Sequence, residues 1–189
     1  MEVLNINAGS RIRILGGATN LSKVTWAMGF ALLTALGAWI EVPTQPVPFT
    51  LQTFFVVLAG ALLGKREGAL SMVMYLALGS LGLPVFASGR WGIAALIGQT
   101  GGYLLAFPFA AWLVGWMIER RASFGWAVLS FTLGMLVIFA LGTIQLNLVL
   151  LKDWAKAIEA GFLVFSWWDV LKIVAAASVY TQFRNRLRT

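Results

Sequence analysis

Along the 189 residues, long apolar stretches alternate with short clusters of charged residues, prolines and glycines. The apolar stretches run over 24–40, 50–63, 68–83, 101–118, 124–151 and 162–183. The breaks between them include "EVPTQPVPFT" at 41–50, "GKRE" at 64–67 and "ERRAS" at 119–123. Several stretches approach or exceed the roughly 17–25 residues of helix that cross a bilayer. The pattern predicts an all-α integral membrane protein with six transmembrane helices. The second to fourth stretches are short for a full crossing and the fifth is long, which predicts an uneven bundle with tilted or partial helices.

Composition agrees with lipid as the solvent. Hydrophobic residues make up 60% of the chain and charged residues 11%, against about 45–50% and 25% in ordinary soluble domains. The length suits a single domain, 1–189. It divides into an N-terminal cytoplasmic segment (1–23), the membrane part and a basic tail (184–189). No apolar core with a small-residue cleavage site stands in the first 23 residues, so the first span is expected to direct insertion itself. The net charge of +7 is a topology signal, and no nucleic-acid partner is expected. With six spans, Arg11, Arg13, Lys23, Lys65, Arg66, Arg120, Arg121, Arg184, Arg186 and Arg188 fall on the side of the termini. Arg90, Lys152 and Lys156 fall opposite. That asymmetry places both termini in the cytoplasm.

The chain has no cysteine and no histidine, which removes the usual zinc sites and His- or Cys-based catalysis. No phosphate-binding glycine loop is present, so the chain is not expected to hydrolyse ATP. No catalytic residue, metal or cofactor is predicted.

The charges that remain inside apolar stretches carry the chemistry. Asp169 and Lys172 stand three residues apart in "LVFSWWDVLKIVAAASVY" and so share one helix face. With the sixth span entering from outside, Asp169 lies ~10 Å below its outer end at ~1.5 Å per residue. Ionisable residues inside a span usually face the bundle interior or a water-filled site. Two readings are open: the pair grips a ligand with adjacent N–H and C=O groups, or it neutralises itself while packing the helix.

Other features converge on the same end. Pro43, Pro46 and Pro48 forbid a regular helix before the second span. The connection 82–102 mixes apolar residues with glycines, as a lid, a re-entrant segment or an interfacial loop would. Trp91, Tyr103, Trp167 and Trp168 lie beside the outer connections and could wall a pocket. Gln52 and Gln99 are placed either to reach a ligand or to bond between helices. On the first helix Ala27, Ala31 and Ala35 form a small-residue strip, which by itself reads as an internal seam.

Taken together, "VPFTLQT" (47–53), "ALLGKREGALSMVMYLALGSLGLPVFASG" (61–89), "GQTGGY" (98–103) and "DVLK" (169–172) followed by "AAA" resemble the BioY family. These are the biotin-specific S components of energy-coupling factor (ECF) transporters. The resemblance runs from the first helix to the sixth. It departs where the family commonly has proline at Gln99 and where "SWWD" replaces a "PGD"-like turn. It implies an ECF S-component-like bundle that binds biotin from outside and is not an enzyme. Its implied partners are a transmembrane coupling subunit and two ATPase subunits in the cell membrane. Asp169 and Lys172 are the implied grip on the ureido ring, with Arg90 a polar contact and Gly101 and Gly102 allowing close approach. Gln52, Tyr103 and Trp168 complete the candidate site, and Ala27, Ala31 and Ala35 become a docking strip for the coupling subunit. A sister S component for another vitamin, or a small intramembrane enzyme using Asp169, are the alternatives.

Overall fold

The computed structural model describes residues 19–163 and 167–186. Most of the predicted N-terminal segment, Ser166 of "SWWD" and the last three residues of the basic tail lie outside the described residues.

The first helix, α1, spans Asn20–Trp39, and its entry is set by Thr19, whose hydroxyl accepts from the Ser22 N–H at 3.3 Å. The chain then leaves helical geometry where the prolines require it. Glu41–Val42 (β1) and Phe49–Thr50 (β2) pair antiparallel across that connection. This two-residue ladder is the departure from the all-helical expectation among the described residues. Helix α2 (Gln52–Leu63) and helix α3 (Lys65–Ser80) meet at Gly64, whose φ of +88° suits a residue without Cβ.

The connection after α3 is structured. It holds a 3₁₀ turn at Ala87–Gly89 and a short helix, α4 (Ile93–Ile97). Helix α5 runs Gly101–Ile118, and α6 runs Phe124–Leu146 before continuing through a wider π-type turn at Asn147–Leu151. Next comes α7 (Trp154–Gly161), capped by Asp153, whose Oδ1 accepts from the N–H groups of Ala155 and Lys156. Helix α8 (Trp167–Arg186) closes the chain.

Among the described residues three helical segments are long and apolar enough to cross a membrane: Asn20–Trp39, Gly101–Ile118 and Phe124–Leu151. Helix α2 is a shorter apolar helix. The predicted stretches 101–118 and 124–151 coincide with the second and third of these. The predicted stretch 162–183 corresponds to α8, which begins later; α7 is an extra helix inside the connection before it.

Helix α5 is central. It packs against α2, α3 and α6 and is far more buried than α1. Val114 on α5 and, around it, Val56, Val57, Met72, Tyr75, Phe131, Met135 and Ile138 are fully buried. Helix α8 lies against α6 and α2, with the Tyr180 ring edge-on to Phe131 at 6.4 Å.

The alanine strip of α1 faces inward. Ala27 and Ala31 are 0% exposed and Ala35 is 7% exposed. They share the inward face with Thr34, whose hydroxyl contacts Met72 Sδ of α3 at 3.9 Å, and with Gly37, backed against Phe55 and the start of α2. In this arrangement α2 and α3 cover the strip. Ala31→Leu would add three carbons to a filled seam and is expected to destabilise the fold by about 1–3 kcal/mol. Thermal unfolding in detergent checks this; an unchanged melting temperature would return the strip to the surface.

Candidate functional site

Two connections and six helices line a cavity of about 740 Å³, counted to its open mouth. Its wall is largely apolar, with Val47, Phe49, Phe86, Leu104, Phe107, Ile138 and Phe139 among the lining residues. The polar groups on it come from distant parts of the chain: Thr50, Gln52 and Thr53 at the start of α2, Arg90 before α4, Thr100 and Tyr103 at the start of α5, and Asp169 and Lys172 in α8.

The pair at α8 follows from helix geometry. Residues i and i+3 are neighbours on a helix surface, and Lys172 Nζ donates to Asp169 Oδ1 at 2.8 Å. The Asp169 side chain is 1% exposed and that of Lys172 14%. Asp169 stands in the first turn of α8, where the helix dipole favours a negative charge. An ammonium carries three N–H donors, and among the described residues Asp169 is the one hydrogen-bond partner of Lys172. The pair therefore presents donor capacity and a carboxylate to the cavity it lines.

Gln52 is buried because a network satisfies it. The Thr50 hydroxyl donates to Gln52 Oε1 at 2.8 Å, Gln52 Nε2 donates to the Tyr75 hydroxyl, and that hydroxyl donates to the Val85 carbonyl at 2.9 Å. The chain of bonds ties the start of α2, the middle of α3 and the connection after α3 together. Phe86, next to Val85, packs edge-on against the Tyr75 ring at 5.5 Å and forms part of the cavity wall. Tyr75→Phe would keep the packing and strip both neighbours of a partner. The expected loss is about 1–3 kcal/mol of stability, with weaker ligand binding as the wall loosens; a Tyr75→Phe variant that matches the parent in both would show that the network is dispensable.

Further bonds join the connection after α3 to the end of α1 and the connection before α2. Glu41 accepts from Ser88 N at 2.9 Å and from Ser88 Oγ at 3.0 Å, holding Ser88 at φ +57°. Gln99 Nε2 donates to the Pro46 carbonyl at 3.0 Å, and Trp39 Nε1 to the Pro84 carbonyl at 3.2 Å. The connection 82–102 is thus bound to 40–51 as a cover over the cavity. Arg90 Nε donates to the Ala87 carbonyl at 3.2 Å, which steadies its guanidinium on the cavity wall. The Tyr103 hydroxyl donates to the Gly161 carbonyl at 3.0 Å, and its ring meets Phe139 edge-on at 6.3 Å.

Of the predicted site residues, Asp169, Lys172, Arg90, Gln52 and Tyr103 meet at the cavity. Gly101, Gly102 and Trp168 do not line it. A Cβ on Gly101 would run into the Leu96 carbonyl and Gln145, and one on Gly102 into the Leu141 carbonyl and Gln145. Their lack of a side chain lets α5 approach α4 and α6. Trp168 is exposed and stacks on Trp167 at 4.6 Å, and Trp91 is exposed as well. Three residues that the sequence reading misses matter here. Thr53 lines the cavity with a buried hydroxyl that has no partner among the described residues. Tyr75 completes the Gln52 network. Gln145 donates to the carbonyls of Leu96 and Gly98, both at 2.8 Å, pinning α4 to α6. A lone glutamine in the apolar stretch 124–151 is the available signal.

Comparison with known proteins gives one answer. The profile of the BioY family matches residues 10–189. A biotin transporter BioY from Thermotoga maritima is 45% identical over 156 residues, covering 82% of this chain and 92% of the relative. A probable biotin transporter BioY from Pyrococcus horikoshii is 41% identical, covering 79% and 88%. Among solved structures, a crystal structure of the S-component for biotin from an ECF-type ABC transporter superposes with a TM-score of 0.80 at 26% identity. It covers 88% of this chain and 94% of the other. The relatives are transporters and the structural neighbour is a transport component rather than an enzyme. On its sequence and its fold alike, this chain belongs to the BioY family.

Proposed function

We propose that this protein is the biotin-binding subunit of an ECF-type transporter, capturing the vitamin from outside the cell. The observation that carries the reading is the Asp169–Lys172 pair, 2.8 Å apart and almost fully buried, on the wall of a largely apolar cavity. A cyclic urea presents two N–H donors beside one carbonyl. A carboxylate accepts the first and an ammonium donates to the second. Phe86, Phe107, Ile138 and Phe139 offer an apolar surface for the sulfur ring and alkyl chain. With Arg90 and Lys172 against Asp169, the cavity carries one net positive charge, which suits a ligand ending in a single carboxylate; Arg90 is the group assigned to it.

In this reading α1, α2, α3, α5, α6 and α8 form six spans with both termini in the cytoplasm of a prokaryotic cell, in line with the Lys/Arg asymmetry. Energy would come from a transmembrane coupling subunit and two ATPase subunits, because the chain has no nucleotide-binding loop of its own.

Titration of the purified protein with biotin, followed by tryptophan fluorescence, tests the assignment. Saturable binding below the micromolar range, undisturbed by thiamine or riboflavin, is the expected result. Binding of either competitor in place of biotin would reassign the ligand.

A further inference from the structure

The central helix of the protein leaves one line of side chains uncovered. On α5 the exposed residues are Leu105 (43%), Phe109 (63%) and Trp112 (46%). The line continues at helical spacing through half-buried Trp116 to exposed Arg120 just beyond the helix. Trp116 stacks on Trp112 with ring centroids 6.1 Å apart and planes 19° from parallel. The Arg120 guanidinium lies 3.2 Å from the centroid of the Trp116 ring.

That contact holds a cation in place without using up its hydrogen bonds. An arginine offers five N–H donors in a planar fork that fits phosphate. Among the described residues Arg120 makes no hydrogen bond or ion pair through its side chain, and neither does Arg121 beside it. Glu119, the carboxylate next in sequence, is engaged elsewhere: Lys65 donates its backbone N–H at 3.2 Å and places Nζ at 3.4 Å. Two arginines therefore stand at the end of an exposed apolar stripe with no counter-charge among the described residues committed to them.

From this arrangement we propose that the stripe Phe109, Trp112, Trp116 and Arg120, with Arg121, is a binding site for one anionic phospholipid. The rise from Phe109 to Arg120 is ~16 Å at ~1.5 Å per residue, close to half of a hydrocarbon core ~30 Å thick. One acyl chain lies along Phe109 and Trp112, Trp116 sits at the depth where indoles anchor, and the phosphate meets the two guanidinium groups. Basic residues just outside a span attract anionic headgroups in the same way. A free phosphate would use the arginines but leave the apolar stripe idle, so the lipid is the occupant the whole feature fits.

Native mass spectrometry of the full chain in a neutral detergent tests this, with dioleoyl phosphatidylglycerol and dioleoyl phosphatidylcholine as probes. The parent is expected to bind the first roughly tenfold or more tightly than the second. Arg120→Gln with Arg121→Gln should abolish that preference, whereas Arg184→Gln with Arg186→Gln, which removes the same charge, should keep it. Trp116→Leu changes no charge and should weaken phosphatidylglycerol binding at least threefold, so the site is testable even if the double arginine variant fails to fold. Equal binding of both lipids, equal loss in the two double variants, or displacement of the lipid by millimolar inorganic phosphate would each overturn the proposal. So would loss of co-purification with a coupling subunit while lipid preference stays unchanged, since that would make the stripe a protein interface.

Discussion

Asn in place of Asp169 is expected to weaken biotin binding by roughly tenfold or more, about 1.4 kcal/mol, and to destabilise the ligand-free protein as well. The amide has nearly the shape of the carboxylate but replaces one acceptor oxygen with an NH₂ donor. A urea N–H that met an oxygen would then face another N–H. The change also leaves Lys172, 14% exposed, with its charge uncompensated. Breaking a buried pair from one side costs about 3–5 kcal/mol, whereas exchanging both members for neutral groups often costs far less. Lys172→Ala should therefore lose binding to a similar degree. The double variant Asp169→Asn/Lys172→Ala should unfold at a higher temperature than the sum of the single losses predicts. Biotin titrations and thermal unfolding in detergent measure the two effects separately. If both single variants fold and bind as the parent does, the pair is not at the ligand.

Gly101→Ala is expected to cost about 1–3 kcal/mol of stability whether or not biotin is present. The new methyl would point at the Leu96 carbonyl and stand 2.6 Å from Gln145 Nε2. That amide nitrogen holds the carbonyls of Leu96 and Gly98, so the substitution forces α4 away from α6 at the edge of the cover. Binding should fall as a consequence of the shifted cover. The distinction from a direct ligand role is measurable: a Gly101→Ala variant with an unchanged melting temperature and reduced affinity alone would mean that the glycine faces the ligand after all.

The legible parts of the molecule are those set by local rules. The long apolar stretches 101–118 and 124–151 become α5 and the run Phe124–Leu151 because length and apolar content act residue by residue. The three prolines at 43, 46 and 48 exclude helix for the same reason. Helix α7 is hidden from the hydrophobic pattern because eight residues are too few for a span. Its start is nonetheless written in Asp153, whose side chain caps the first turn. Trp168 and Trp91 resemble pocket walls because they flank the right segments, but sequence proximity to a site does not say on which side of the backbone a ring lies.

The sequence by itself determined that the chain is built of membrane helices and that Asp169 and Lys172 meet. Helical spacing of three brings two side chains together whatever surrounds them. Only the tertiary structure decided which residues join them. Gln52, Arg90, Tyr103 and the unforeseen Thr53 reach the cavity from segments far apart in the chain, through the packing of α2, α5 and α8 and the bonds between the connections before α2 and after α3. It likewise turned Ala27, Ala31 and Ala35 inward and left the stripe of α5 outward. A periodic apolar or small-residue face announces that something will cover it. Lipid tails and neighbouring helices are equally apolar, so which of them does so is settled by packing alone.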